Sequence, residues 1–113
     1  MRGIDKVNES DWRLFRSRLP IRQEAYMERL NREYIALLSD TGSASEKFWN
    51  LEKRLREDKK SGGVVMRMSR SNMELNILNL LPDGVISIAD LDDFSEVLRE
   101  KLAFAQRNQS EWD

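Results

Sequence analysis

The sequence predicts an all-α protein, a small bundle of four to five helices. Three observations carry this. Apolar residues recur at spacings of three and four along most of the chain. The charged share is 35% with only two Pro and five Gly in 113 residues, a profile of long exposed helices and not of a turn-rich sandwich. Two Ser-x-x-Glu/Asp sequences, Ser43 to Glu46 and Ser87 to Asp90, precede apolar runs as capping boxes do. The length suits one domain. Residues 1–9 read as a flexible start, 10–106 as a single helical domain and 107–113 as a frayed end.

The elements follow in order. Ser10 can cap a short first helix that carries Trp12, Phe15 and Leu19 on one side. Pro20 is expected to end it, because proline disfavours helix at the residue before it and suits the first turn of a new one. In the second helix, IRQEAYMERLNREYIALLSD, the residues Met27, Leu30, Tyr34, Leu37 and Leu38 form an apolar stripe. Asp40-Thr41-Gly42 closes it. The third helix starts at the Ser43 box and places Phe48, Leu51 and Leu55 on one face, with Trp49 beside them. Ser61-Gly62-Gly63 is a break.

A fourth helix is expected over 64–81. Val64, Met68, Leu75 and Leu78 follow one line, and Met73, Ile77, Leu80 and Leu81 the next, so its apolar face is wide. Pro82-Asp83-Gly84 turns the chain. A fifth helix over 88–106 then carries Leu91, Phe94, Leu98, Leu102 and Ala105. Helices 64–81 and 88–106 form a C-terminal hairpin.

Composition restricts the chemistry. There is no cysteine, which removes disulfides, thiolate nucleophiles and thiolate metal sites. There is no histidine, which removes the commonest general base and metal ligand. Neither a secretory signal nor a membrane span of roughly 20 apolar residues is present, so a cytoplasmic, non-enzymatic protein without cofactor or metal is expected. The net charge of −1 is uneven: residues 1–45 carry +1, 46–74 carry +3 and 75–113 carry −5. A basic middle and an acidic end favour self-association or an internal fit.

Three segments, FWNLEKRLREDKK, MSRSNMELNILNLLPDGVIS and DLDDFSEVLREKL, carry a likeness over residues 43–102. Here the chain resembles a family of small uncharacterised bacterial helical proteins, some of them mislabelled as multidrug transporters. The resemblance implies a compact helical domain in a bacterial cell and brings no catalytic residues.

Each candidate motif has a plainer reading. Asn79 to Asp90 looks like part of a calcium loop, with Gly84 at the turn position. Leu81 occupies a ligand position, however, and Asp90 replaces the bidentate Glu; a capped turn between helices fits better. As a helix-turn-helix, the same region would offer DNA the acidic residues 90–98, which repel phosphate. The basic residues Lys53, Arg54, Arg56, Lys59, Lys60, Arg67 and Arg70 flank a glycine turn and form a candidate nucleic-acid surface, with Glu52, Glu57 and Asp58 interleaved. Arg18, Arg22 and Arg29 lie close to one face with acidic neighbours, as in ordinary exposed ion pairs.

The leading expectation is an interaction or regulatory protein. More large apolar side chains are present than one small subunit can cover, which points to a homodimer or a protein partner. The candidate contact residues are Trp12, Phe15, Trp49, Met73, Ile77 and Leu81. The alternative is a small nucleic-acid-binding regulator using 53–70.

Overall fold

A computed structural model describes residues 7–112 of the chain, with side chains to residue 108. It is all-α: 75% of it is helical, with no strand among the described residues. The helices are α1 (Glu9–Ser39), α2 (Ala44–Asp58), α3 (Met73–Leu80) and α4 (Glu96–Trp112). Short 3-10 turns at Arg70–Asn72 and Ile88–Asp93 precede α3 and α4.

The expected break at Pro20 does not occur. Helix α1 runs unbroken through it. The side chain of Asn8, not Ser10, caps its start by accepting from the N–H groups of Ser10 and Asp11 at 2.8 and 3.1 Å. Proline removes one backbone hydrogen bond and crowds the preceding turn. Here Pro20 lies on the exposed side of α1, where water can satisfy the freed carbonyl. Leu19 just before it and Leu30 ten residues later are both buried. Anchors on both sides of Pro20 outweigh its local preference.

The expected helices 64–81 and 88–106 are both shortened at their starts. Residues 64–69 form a turn and an extended strap. The Gly62 carbonyl accepts from Gln23 Nε2 on α1 at 2.9 Å. Gly63 is buried against the face of Tyr26, and a Cβ there would collide with the ring. Helix begins only after Ser69, whose hydroxyl accepts from the Asn72 N–H.

At the far end α3 stops in a Schellman arrangement. The Val85 N–H donates to the Leu80 carbonyl and the Gly84 N–H to that of Leu81. Gly84 takes φ +74. The Ser87–Asp90 capping box forms as the spacing predicts, but it opens a 3-10 turn. Phe94 is extended, and Ser95 caps α4 by accepting from the Leu98 N–H. Helix α4 continues as far as Trp112, beyond the expected end at 106. The expected flexible start, 1–9, falls mostly outside the described residues; Glu9 is already helical.

These elements make two regions. The head packs Trp12, Phe15 and Leu19 of α1 against Met73, Ile77 and Leu80 of α3 and Leu98 and Leu102 of α4, with Val85, Leu91 and Phe94 from the connections. The hairpin is the C-terminal part of α1 with α2. It extends the molecule to 60 × 32 × 23 Å, with a radius of gyration of 17.3 Å. A compact chain of this size would have roughly 13 Å.

Candidate interaction face

The head consumes most of the residues expected at a contact surface. Trp12, Phe15, Met73 and Ile77 are 6%, 3%, 3% and 0% exposed and form the core. Leu81 is half-buried against it. α1 and α4 of the same chain cover Met73, Ile77 and Leu80 of the wide face, while Leu75 on the neighbouring line is 58% exposed. Of the six, Trp49 alone stands out in solvent, at 62%.

Charge locks the head. The acidic connection before α4 meets the arginines of α1: Arg18 pairs with Asp93 at 2.7 Å and Arg22 with Asp90. Arg29 donates to the carbonyls of Asp83 and Gly84 at 3.2 and 3.5 Å. Asp11, buried, accepts from the N–H and hydroxyl of Ser95 at 2.8 and 2.6 Å. It thereby fixes the capping residue of α4 and places a carboxylate at the positive end of that helix. The uneven charge of the sequence is thus used partly inside the molecule. The loop resembling a calcium site is committed too: Asp83 accepts from Ser61, and Asp90 from Ser87 and Arg22.

A cleft of about 600 Å³ lies where α1, α3 and α4 meet, walled by Asp11, Arg70, Glu74, Ser95 and Lys101 among others. Its buried carboxylate, Asp11, is engaged at both oxygens by Ser95, the cap of α4.

Of the basic residues of 53–70, Lys60 and Arg67 line one cleft, with Asp83 in it, and four of the seven are ion-paired. Arg54 pairs with Glu33 and, at 3.0 Å, with Asp58. Arg56 pairs with Glu52, and Lys60 with Glu57 at 3.4 Å. Arg70 pairs with Glu9 at 2.9 Å and lies over the Trp12 ring. Lys53, Lys59 and Arg67 have no ion-pair partner among the described residues. Lys53 is on α2, Lys59 is the residue that caps its end, and Arg67 is on the strap.

The hairpin is built differently. Leu30 is its buried apolar residue, and α2 buries none. A polar clasp holds the two helices. Tyr34 donates its hydroxyl to Asp58 at 2.6 Å, and Arg54 lies over the Tyr34 ring. Partial burial, then the Asp58 carboxylate, push the Tyr34 hydroxyl up to a pKa of about 12.

On one broad side of the hairpin, a cleft of about 170 Å³ opens between the helices. Met27, Asn31 and Tyr34 line it from α1, and Leu55 and Lys59 from α2. Large apolar side chains flank it toward the tip. Ile35 is 63%, Leu38 44%, Phe48 61% and Leu55 38% exposed. Phe48 stacks edge-on against Trp49 at 5.0 Å.

The sequence pattern puts Leu38 in the stripe of α1 and Phe48 and Leu55 on one face of α2, without deciding what covers either, and does not single out Ile35. The available signal was arithmetic. Two helices alone cannot bury stripes this wide, and most of the apolar residues of 61–106 that are buried pack in the head, which itself leaves Val65, Leu75, Ile88, Val97 and Phe104 exposed.

No family model, curated protein or solved structure matches the chain. The likeness noted over residues 43–102 therefore rests on those segments alone.

Proposed function

We propose that the protein is a non-enzymatic interaction or regulatory protein whose working element is the hairpin, presenting its apolar broad side to a helical partner. One observation carries this reading: the hairpin leaves Ile35, Leu38, Phe48 and Leu55 exposed, and Leu55 lines an apolar cleft between its two helices. Exposed apolar clusters of this kind mark contact surfaces more often than they occur by chance. Apolar residues at helical spacing on two adjacent helices suit helix-on-helix packing. Lack of His and Cys argues against enzymatic chemistry, and lack of Cys suits a reducing bacterial cytoplasm.

Capture from cell extract by the tagged full chain tests this. Partners retained by the wild type and by Phe104→Lys, on α4, should be lost with Phe48→Lys. Equal retention by all three forms removes the hairpin from the reading. The alternative, nucleic-acid binding, retains Lys53, Lys59 and Arg67 as unpaired cations. It predicts a gel shift that weakens steeply with salt.

A further inference from the structure

We infer that the occupant of the hairpin's apolar side is a second copy of this chain, and that two hairpins pair face to face, tips aligned, as a four-helix bundle. The inference rests on the proposed role of the hairpin as the contact element. Glu24, Glu28, Asn31, Ile35 and Leu38 are spaced four, three, four and three residues apart, so they form one line along α1. All five are exposed. Phe48, Glu52 and Leu55 of α2, with Lys59 at its C-cap, form the equivalent line. The shared cleft, with Asn31 on one wall and Leu55 and Lys59 on the other, puts both lines on the same broad side. At its base the strap reaches this side through Val64. Trp12, Phe15 and Leu19, which hold the head, project from the opposite side of α1, as 100° per residue requires.

A twofold axis along the hairpin preserves height and brings α1 of one copy opposite α2 of the other. The ion pair of Glu33 with Arg54 sets the heights to within one residue. Counting one residue back for each residue forward, Leu38 lies level with Phe48, Asn31 with Leu55, and Glu28 with Lys59. Across the axis, hydrocarbon meets hydrocarbon at the tip, and the glutamates meet Lys59 at the base. Glu52, between them, is held by Arg56 of its own helix. Every helix then runs antiparallel to both neighbours, the up-and-down arrangement of four-helix bundles. Reversing one hairpin would set Ile35 and Leu38 against Glu24 and Glu28, burying charge on hydrocarbon. The side spans about 22 Å by about 20 Å, from helix rise and diameter. Two such faces together give roughly 900 Å², close to the ~1,000 Å² of the smallest specific interfaces. A reversible, concentration-dependent dimer is the expected outcome.

Sedimentation equilibrium of the full chain over rising concentration tests this. The mass should climb from one subunit to two. Ile35→Lys should raise the dissociation constant by at least about tenfold while circular dichroism keeps its helical signal. Lys59→Glu and Glu28→Lys should each dissociate when alone, through Glu against Glu or Lys against Lys. Mixed in equal amounts they should dimerise again, because both contacts then pair opposite charges. Rescue by mixing cannot arise within one chain. A chain that stays monomeric throughout overturns the second copy and leaves the partner-capture experiment to judge the hairpin. A dimer indifferent to Ile35→Lys forms elsewhere and counts against both proposals. A dimer lost with Ile35→Lys but not restored by mixing overturns the aligned arrangement.

Discussion

The head and the hairpin share one helix and are held by opposite means. From Glu9 to about Ile21, α1 is a wall of an apolar core, with Phe15 and Leu19 at 3% and 2% exposure. Beyond it, the same helix meets a partner that buries none of its residues. The head is stabilised by hydrocarbon removed from water. The hairpin is stabilised by a hydroxyl, a guanidinium and two carboxylates around Tyr34. Two helices have one contact line between them, whereas the head closes a core from several directions. A pair of helices therefore leaves its outer apolar residues in water unless something else covers them.

The difference is sharpest for truncations. Ile77→Ala, at a site with no exposure, should cost about 2–5 kcal/mol by chemical denaturation. A loss below about 1 kcal/mol would mean that the head core is looser than described.

Gly63→Ala strikes the junction between the regions. Its methyl would have to displace the Tyr26 ring, at about 1–3 kcal/mol. The loss should appear in the same unfolding transition as that of Ile77→Ala if head and hairpin unfold together.

Within the hairpin, Tyr34→Phe should cost about 1 kcal/mol, the net worth of one hydrogen bond near a charge. The pH dependence has a definite sign. The folded Tyr34 pKa is raised from 10.0 to about 12, so the folded state holds its proton more tightly than the unfolded chain. That contribution is complete below pH 10 and fades as pH rises toward about 12. Ultraviolet difference absorbance should show one tyrosine ionising late, and Tyr34→Phe should remove that step.

Phe48→Ser should have the smallest effect on the fold, within about 0.5 kcal/mol, because the ring is already in water. It should nonetheless abolish association through the hairpin. Little change in stability with loss of association would sharpen the contrast; a large loss of stability would break it.

Much of this was legible beforehand. The stripe of Trp12, Phe15 and Leu19, the N-cap at Ser43, the turn at Pro82-Asp83-Gly84 and the helical period of Leu98 and Leu102 each depend on neighbours within a few residues. Local spacing and capping chemistry report such features directly. The candidate contact set was less legible. Periodicity identifies an apolar face but not what lies against it. The same pattern made Met73 and Ile77 look exposed to a partner, and it left open whether the shared face of Phe48 and Leu55 is covered.

The sequence by itself determined that the protein is helical, where most helices start or turn, and that His and Cys chemistry is absent. Only the tertiary structure decided that α1 passes through Pro20, that the strap and Ser95 shorten α3 and α4, and which apolar faces are spent. The physical reason is common to all three. A local preference of a few kcal/mol or less yields to long-range packing. Gly63 on Tyr26 and Asp11 on Ser95 join residues 37 and 84 positions apart, beyond any local pattern.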